Sequence, residues 1–199
     1  MEFTSIISSL SLVVSVFTFY LLLVHKGTLK MTQPTTIYFG PDSSNRNDSK
    51  VYLRTLLFST SKRGQILESM FVRIHRGETT QTFNIWVYGE KKADLVRGSG
   101  LYIDATGKSL NHHFLLPKDG SNYQFLEGKY KLEVFASTLG AKKPQRIFTV
   151  ELSITHEQAE KLKLNRLGLY FDWGAESNAY HPNIYEPPLK GEEIERLLS

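Results

Sequence analysis

Cysteine is absent from the chain, which excludes disulfides, thiol catalysis and zinc-thiolate sites. The compartment stays open, because a cytosolic or a bacterial extracytoplasmic domain can lack cysteine equally. Basic residues never run beyond two in succession, and the excess of 24 lysines and arginines over 20 acidic residues is mild and dispersed. Such a surface carries no nucleic-acid footprint, although it can assist contact with anionic lipid headgroups. No repeat period is visible, and 199 residues suit one ordinary domain plus an anchor.

Charge, proline and glycine are all missing from Thr4 to Val24 (TSIISSLSLVVSVFTFYLLLV), and His25, Lys26 and Lys30 follow. That length matches the ~20 residues an α-helix needs to cross a bilayer core roughly 30 Å thick. A cleaved secretory signal would need a basic n-region, a shorter apolar stretch and a small-x-small cleavage site. Residues 1–3 form only a short tip with no base, and nothing like Ala-x-Ala follows. The expectation is an uncleaved transmembrane anchor over residues 4–24, with a cleaved signal and a buried helix of a soluble domain as the alternatives.

Lysine asymmetry then places the N-terminus outside and the soluble domain in the cytoplasm. Two lysines are the whole basis, so the extracytoplasmic orientation stays open. Thr4, Ser8, Ser11, Ser15 and Thr18 recur in alternating steps of four and three residues, along one helical stripe. Small hydroxyl residues on one face let helices approach closely in lipid, so Ser8, Ser11, Ser15 and Thr18 are a candidate homodimer contact. The competing reading is that these hydroxyls bond back to carbonyls of their own helix.

Residues 25–34 read as a juxtamembrane linker, and residues 35–154 as an all-β domain. Stretches rich in β-branched and aromatic residues run over Thr35 to Phe39, Val51 to Ser59, Gln65 to His75, Gln81 to Tyr88, Leu95 to Ile103, Leu110 to Leu116, Lys129 to Ser137 and Arg146 to Ile154. Turn chemistry separates them, as at Gly40-Pro41-Asp42, Lys62-Arg63-Gly64, Gly77-Glu78 and Lys118-Asp119-Gly120. Tyr130, Leu132, Val134 and Ala136 alternate with polar neighbours, as do Phe148, Val150, Leu152 and Ile154. Sharp alternation puts one face in a core and one in water, which predicts a two-sheet β-sandwich.

Residues 155–199 are expected to hold a short helix, an extra strand and an irregular tail. Thr155 with Gln158 forms a candidate capping box opening a helix from His156 to about Asn165. A ninth strand is expected over Leu167 to Trp173. The tail from Asn178 is interrupted by Pro182, Pro187 and Pro188, ends in a short amphipathic stretch from Glu192 to Leu198, and is expected to be partly ordered at best.

In Phe125-Leu126-Glu127-Gly128-Lys129-Tyr130, a turn and a glycine precede a tyrosine that opens an alternating strand. This resembles the tyrosine corner of immunoglobulin-like and fibronectin-like sandwiches, in which the hydroxyl reaches back to upstream backbone. On that resemblance, which spans roughly Val51 to Ile154, Tyr130 is the corner tyrosine. Leu132 takes the position held by a cysteine in antibody domains, and Trp86 resembles their core tryptophan.

Few residues are arranged for chemistry. His112 and His113 are adjacent on a strand and point to opposite faces, so only one could join a metal cluster with His75, His156, His181 or a carboxylate. Gly98-Ser99-Gly100 runs on into another strand rather than a helix, so a bulge or a close backbone approach explains it better than a phosphate loop. Ser99 lacks a hydrolase elbow. The acids Glu68, Glu127, Asp172 and Glu176 show no spacing that would pair them for glycoside hydrolysis. No cofactor, metal or catalytic residue is expected.

The segment from Tyr170 to Tyr185 concentrates Trp173, Tyr180, His181 and Tyr185 among small polar residues, a mix found on recognition surfaces. These four are the candidate partner or ligand surface; the alternative is that they cap an open sheet edge. The functional expectation is a single-pass, non-enzymatic interaction module that binds a protein partner or scaffolds an assembly at the membrane. The alternative is an exported, membrane-tethered domain binding glycan or another small molecule through Trp173, Tyr180 and Tyr185.

Overall fold

A computed structural model describes residues 2–25, 27–42, 48–119, 121–163 and 167–186. Helix α1 (Glu2–Phe19) runs into a π-helical turn over Tyr20–Val24, closed where the His25 amide donates to the Tyr20 carbonyl at 2.9 Å. No glycine or proline interrupts it, and the span Ser5–Leu22 has a mean hydropathy of 2.0 with none of it buried. It is therefore no core helix of the domain, and it is long and apolar enough to cross a membrane.

The rest of the chain forms β1 (Leu29–Met31), β2 (Thr36–Pro41), β3 (Ser49–Ser59), β4 (Gln65–Arg76), β5 (Thr79–Phe83), β6 (Ile85–Gly89), β7 (Val96–Arg97), β8 (Leu101–Ile103) and β9 (Lys108–Leu115). β10 (Gly128–Thr138), β11 (Gln145–Ile154), helix α2 (His156–Leu162), β12 (Gly168–Gly174) and β13 (Ala179–Tyr185) complete it. Two antiparallel sheets result. The first runs β13-β12-β2-β3-β9-β6-β7, with β1 also on β3, and the second runs β11-β10-β4-β5, with β8 also on β4.

They pack in a sandwich-like arrangement whose centre is aromatic. Phe39 stacks on Phe125 at 4.8 Å and meets Phe171 edge-on at 5.4 Å, and all three are almost wholly buried. Each such ring contributes roughly 1.5 to 3 kcal/mol by leaving water. The alternation expected of β10 and β11 is observed: Leu132 and Val134 are fully buried, while Lys129 and Lys131 face outward.

Four expectations are corrected. Gln81 to Tyr88 is not one strand: the chain leaves the second sheet after β5 and enters the first at β6, turning at Asn84. Leu95 to Ile103 likewise splits into β7 and β8, which belong to different sheets, and Gly98 to Gly100 carry the crossing. The tail is regular as far as Tyr185, because β13 pairs with β12 from Ala179 to Tyr185 and forms the edge strand of the first sheet. The expected linker also carries a strand, β1, paired to the end of β3. The capping box forms as read, with the Gln158 amide donating to Thr155 Oγ1 at 3.3 Å and the Thr155 amide to Gln158 Oε1 at 2.9 Å. Asn165, Pro187, Pro188 and the stretch Glu192 to Leu198 lie outside the described residues.

Candidate functional site

Strand β11 is the last strand of the second sheet, so its outer edge is unpaired among the described residues. Facing it, the hairpin of β12 and β13 overhangs from the first sheet. In β11 the inward residues are Val150 and Leu152, set opposite Leu132 and Tyr130 of β10. In the hairpin, Trp173 sits opposite Tyr180 and Phe171 opposite Pro182. Between β11 and the hairpin lies a groove of about 360 Å³, lined by Val150, Leu152, the four hairpin side chains, Glu151, Ser153 and Asn178.

The hairpin wall is held in place by the start of the domain. The Tyr180 hydroxyl donates to the Pro34 carbonyl at 2.7 Å and accepts from Gln33 Nε2 at 3.0 Å, and the Trp173 amide donates to the Thr35 carbonyl at 2.9 Å. The Trp173 and Tyr180 rings meet in a T-shape at 5.1 Å. Burial pushes the Tyr180 hydroxyl well above the ordinary phenol range, so it stays a neutral donor.

The two edges at this side differ. β13 carries Pro182, which has no amide hydrogen to offer another strand. β11 spans ten residues without proline or glycine, and its charges are Arg146 and Glu151. Long edges of that kind are templates for a further strand.

Only two of the four expected surface residues meet in this groove. Trp173 and Tyr180 line it, half-buried, whereas His181 and Tyr185 are exposed on the other side of the hairpin. His181 Nε2 is 2.7 Å from Ser177 Oγ, and Tyr185 packs on Tyr170 at 5.3 Å. Tyr170 in turn packs on Tyr38 at 4.8 Å, and Tyr52 meets His113 at 4.9 Å, so an aromatic row crosses the outer face of the first sheet. Each member is the outward residue of its strand, a signal present in the sequence. That they line up depends on register between distant segments.

Several of the remaining candidates have structural partners. Tyr130 is buried, and its hydroxyl donates to the Leu126 carbonyl four residues back at 2.6 Å. Gly128 holds φ at +141°, a conformation suited to glycine, and so starts the strand at the angle this bond requires. Trp86 is in the core and donates from Nε1 to Nδ1 of His112 at 3.1 Å. His113 points out, and burial, then Lys50, lowers its pKa from 6.5 to about 4. Ser15 and Ser9 donate to the carbonyls of Ser11 and Ser5, four residues back in their own helix.

Among the described residues, no three histidine or carboxylate side chains converge on a common point. The groove offers apolar contact and free main-chain groups, which is the chemistry of recognition. No protein-family model matches the chain, and no curated protein sequence matches it.

Proposed function

We propose that the chain is a single-pass, membrane-anchored module without enzymatic activity that binds a protein partner at the bilayer. An extended segment of the partner adds to the β11 edge and places alternate side chains in the groove between Val150, Leu152, Trp173 and Tyr180. The observation that carries this reading is the adjacency of an edge strand unpaired among the described residues and an aromatic-lined groove. Main-chain hydrogen bonds, each worth about 0.5 to 1.5 kcal/mol net, give affinity, and the groove gives selectivity. The lysines that follow the anchor favour a cytoplasmic domain.

The test is a photo-crosslinking side chain at Val150 in the full chain in its native membrane, with Glu78 at a distant turn as control. A discrete protein adduct from position 150, absent from position 78 and reduced several-fold by Trp173→Ala, is expected. No adduct from position 150, together with turnover in a broad substrate screen, would overturn the proposal.

The T-shaped pair of Trp173 and Tyr180 also suits a sugar ring, which favours the exported glycan-binding alternative if the domain lies outside. Topology separates the two. In this cysteine-free chain, a Glu78→Cys variant is expected to resist a membrane-impermeant thiol reagent in intact cells and to react after lysis. Labelling of intact cells would remove the cytoplasmic reading.

A further inference from the structure

One end of the sandwich is built differently from the other. The pairs Leu29 with Ser59, Leu57 with Lys108, Gln65 with Ile103 and Leu67 with Thr138 bring four features to the same end. These are the exit from α1 and the turns β3–β4, β8–β9 and β10–β11. The exit is clasped by the β3–β4 turn. Ser61 Oγ donates to the His25 carbonyl at 2.6 Å, the Thr28 amide donates to Thr60 Oγ1 at 2.8 Å, and the Thr60 amide donates to the Thr28 carbonyl at 3.0 Å. The point where the apolar helix ends is therefore tied to this end of the domain.

Here the surface is apolar where a solvated turn region is usually polar. Leu139, Tyr102 and Ile66 are 59%, 49% and 43% exposed. Tyr102 lies directly opposite Ile66, and the Leu139 amide donates to the Ile66 carbonyl, so the three come from neighbouring strand ends. Around them stand exposed Lys62 and Arg63 in one turn and Lys142 and Lys143 in the other. The opposite end of the sandwich carries Glu78, Asp119 and Glu127 beside Lys118, whereas Asp104, in the β8–β9 turn of this end, turns its carboxylate onto Thr106 and Gly107 of its own turn.

We propose that this end is a docking face for anionic phospholipid headgroups, with Tyr102, Ile66 and Leu139 seated at headgroup level and the four basic side chains on the phosphates. The inference rests on the reading of α1 as an anchor, since the helix brings the face to the bilayer. Aromatic and aliphatic side chains beside basic ones suit the membrane interface, where apolar burial and charge attraction add. Tyr102 is pre-set for this position: its hydroxyl donates to the Arg63 carbonyl at 2.9 Å, and its ring lies against Gly64, whose φ is +69°. Docking fixes the tilt of the sandwich and so the direction in which the β11 groove opens.

The test uses the full chain with a single environment-sensitive probe at Ala141→Cys, Val14→Cys or Glu78→Cys. Each is reconstituted in phosphatidylcholine vesicles with and without phosphatidylglycerol, with nitroxide-bearing lipid as quencher. With phosphatidylglycerol present, the probe at position 141 is expected to shift to the blue and to be quenched from headgroup depth, while the probe at 78 stays in water. Adding Lys142→Gln and Lys143→Gln is expected to lower the docked-to-undocked ratio about 30-fold, the factor for two basic residues at an anionic surface. A probe at 141 that stays in water while the one at 14 is quenched within the bilayer would overturn the docking face and leave the anchor standing. A probe at 14 that is not quenched would overturn both.

Discussion

Trp86 and His112 share a hydrogen bond inside the sandwich: the indole Nε1 donates to Nδ1 across 3.1 Å. Accepting at Nδ1 places the imidazole proton on Nε2, which has no partner among the described residues. Burial, and then the neighbouring His113, pulls the His112 pKa from 6.5 to about 3. The folded protein thus refuses a proton that the unfolded chain takes up below pH 6.5. Stability falls as the pH drops from there toward 3.

His112→Gln keeps an acceptor for Trp86 and cannot titrate. Its expected effect near neutral pH is a loss of about 1 to 2 kcal/mol from imperfect replacement of the ring. Below the unfolded pKa its stability declines less steeply than that of the parent, with His113 supplying the remaining slope. Urea denaturation of the full chain in detergent across that pH range measures both. An unchanged acid slope would show that His112 is protonated in the folded state.

Glu133 gives a second, lower pH window. It is 5% exposed on the outer face of the second sheet and accepts from Arg146 at 2.7 Å, Lys131 at 3.1 Å and His75 at 3.1 Å. Burial alone raises its pKa, but the bonds from Arg146, Lys131 and His75 outweigh this and lower it from 4.5 to about 2. Its stabilisation is present above the unfolded pKa and is lost as the pH falls toward 2. Glu133→Gln is expected to cost about 1 to 2 kcal/mol near neutral pH, a figure reduced because Lys131 and Arg146 keep half their side chains in water. The difference from the parent should close in strong acid, read from urea midpoints at constant m-value.

Gly98 marks the place where the chain crosses between sheets. A Cβ there would lie 2.1 Å from Trp86 Cε3, and the Gly98 amide donates to the Trp86 carbonyl at 2.8 Å, so the backbone cannot move aside freely. Gly98→Ala is expected to lose about 1 to 3 kcal/mol by overpacking and to change the near-ultraviolet circular dichroism of the indole. An alanine variant with parental stability and spectrum would mean that β7 re-seats without strain.

Much of the sandwich was legible because β10 and β11 have one wet face, which writes a period of two into residues 129–154. The breaks at Asn84 and Gly98 to Gly100 were not. Both sides of each break are β-favouring, and nothing local says that the partner strand changes. β13 was hidden for a different reason: Ala179 to Tyr185 shows no clean alternation and contains Pro182, and it pairs with β12 along its whole length. Of the four residues singled out for recognition, Trp173 and Tyr180 meet in the groove, while Tyr185 and His181 fall outside it because neighbours in a strand face opposite ways.

By itself the sequence determined the apolar helix, the strand-rich domain, the helix cap and the buried face of β10 on which Tyr130 lies. Each of these depends on residues within a few positions of one another, through periodicity, turn chemistry or an uninterrupted apolar run. Tertiary structure decided which strands are edges, where the groove opens, and that Tyr102, Ile66 and Leu139 share an end with the exit from the helix. Those properties depend on pairing between segments far apart in the chain, and a strand carries no local mark of having a free side.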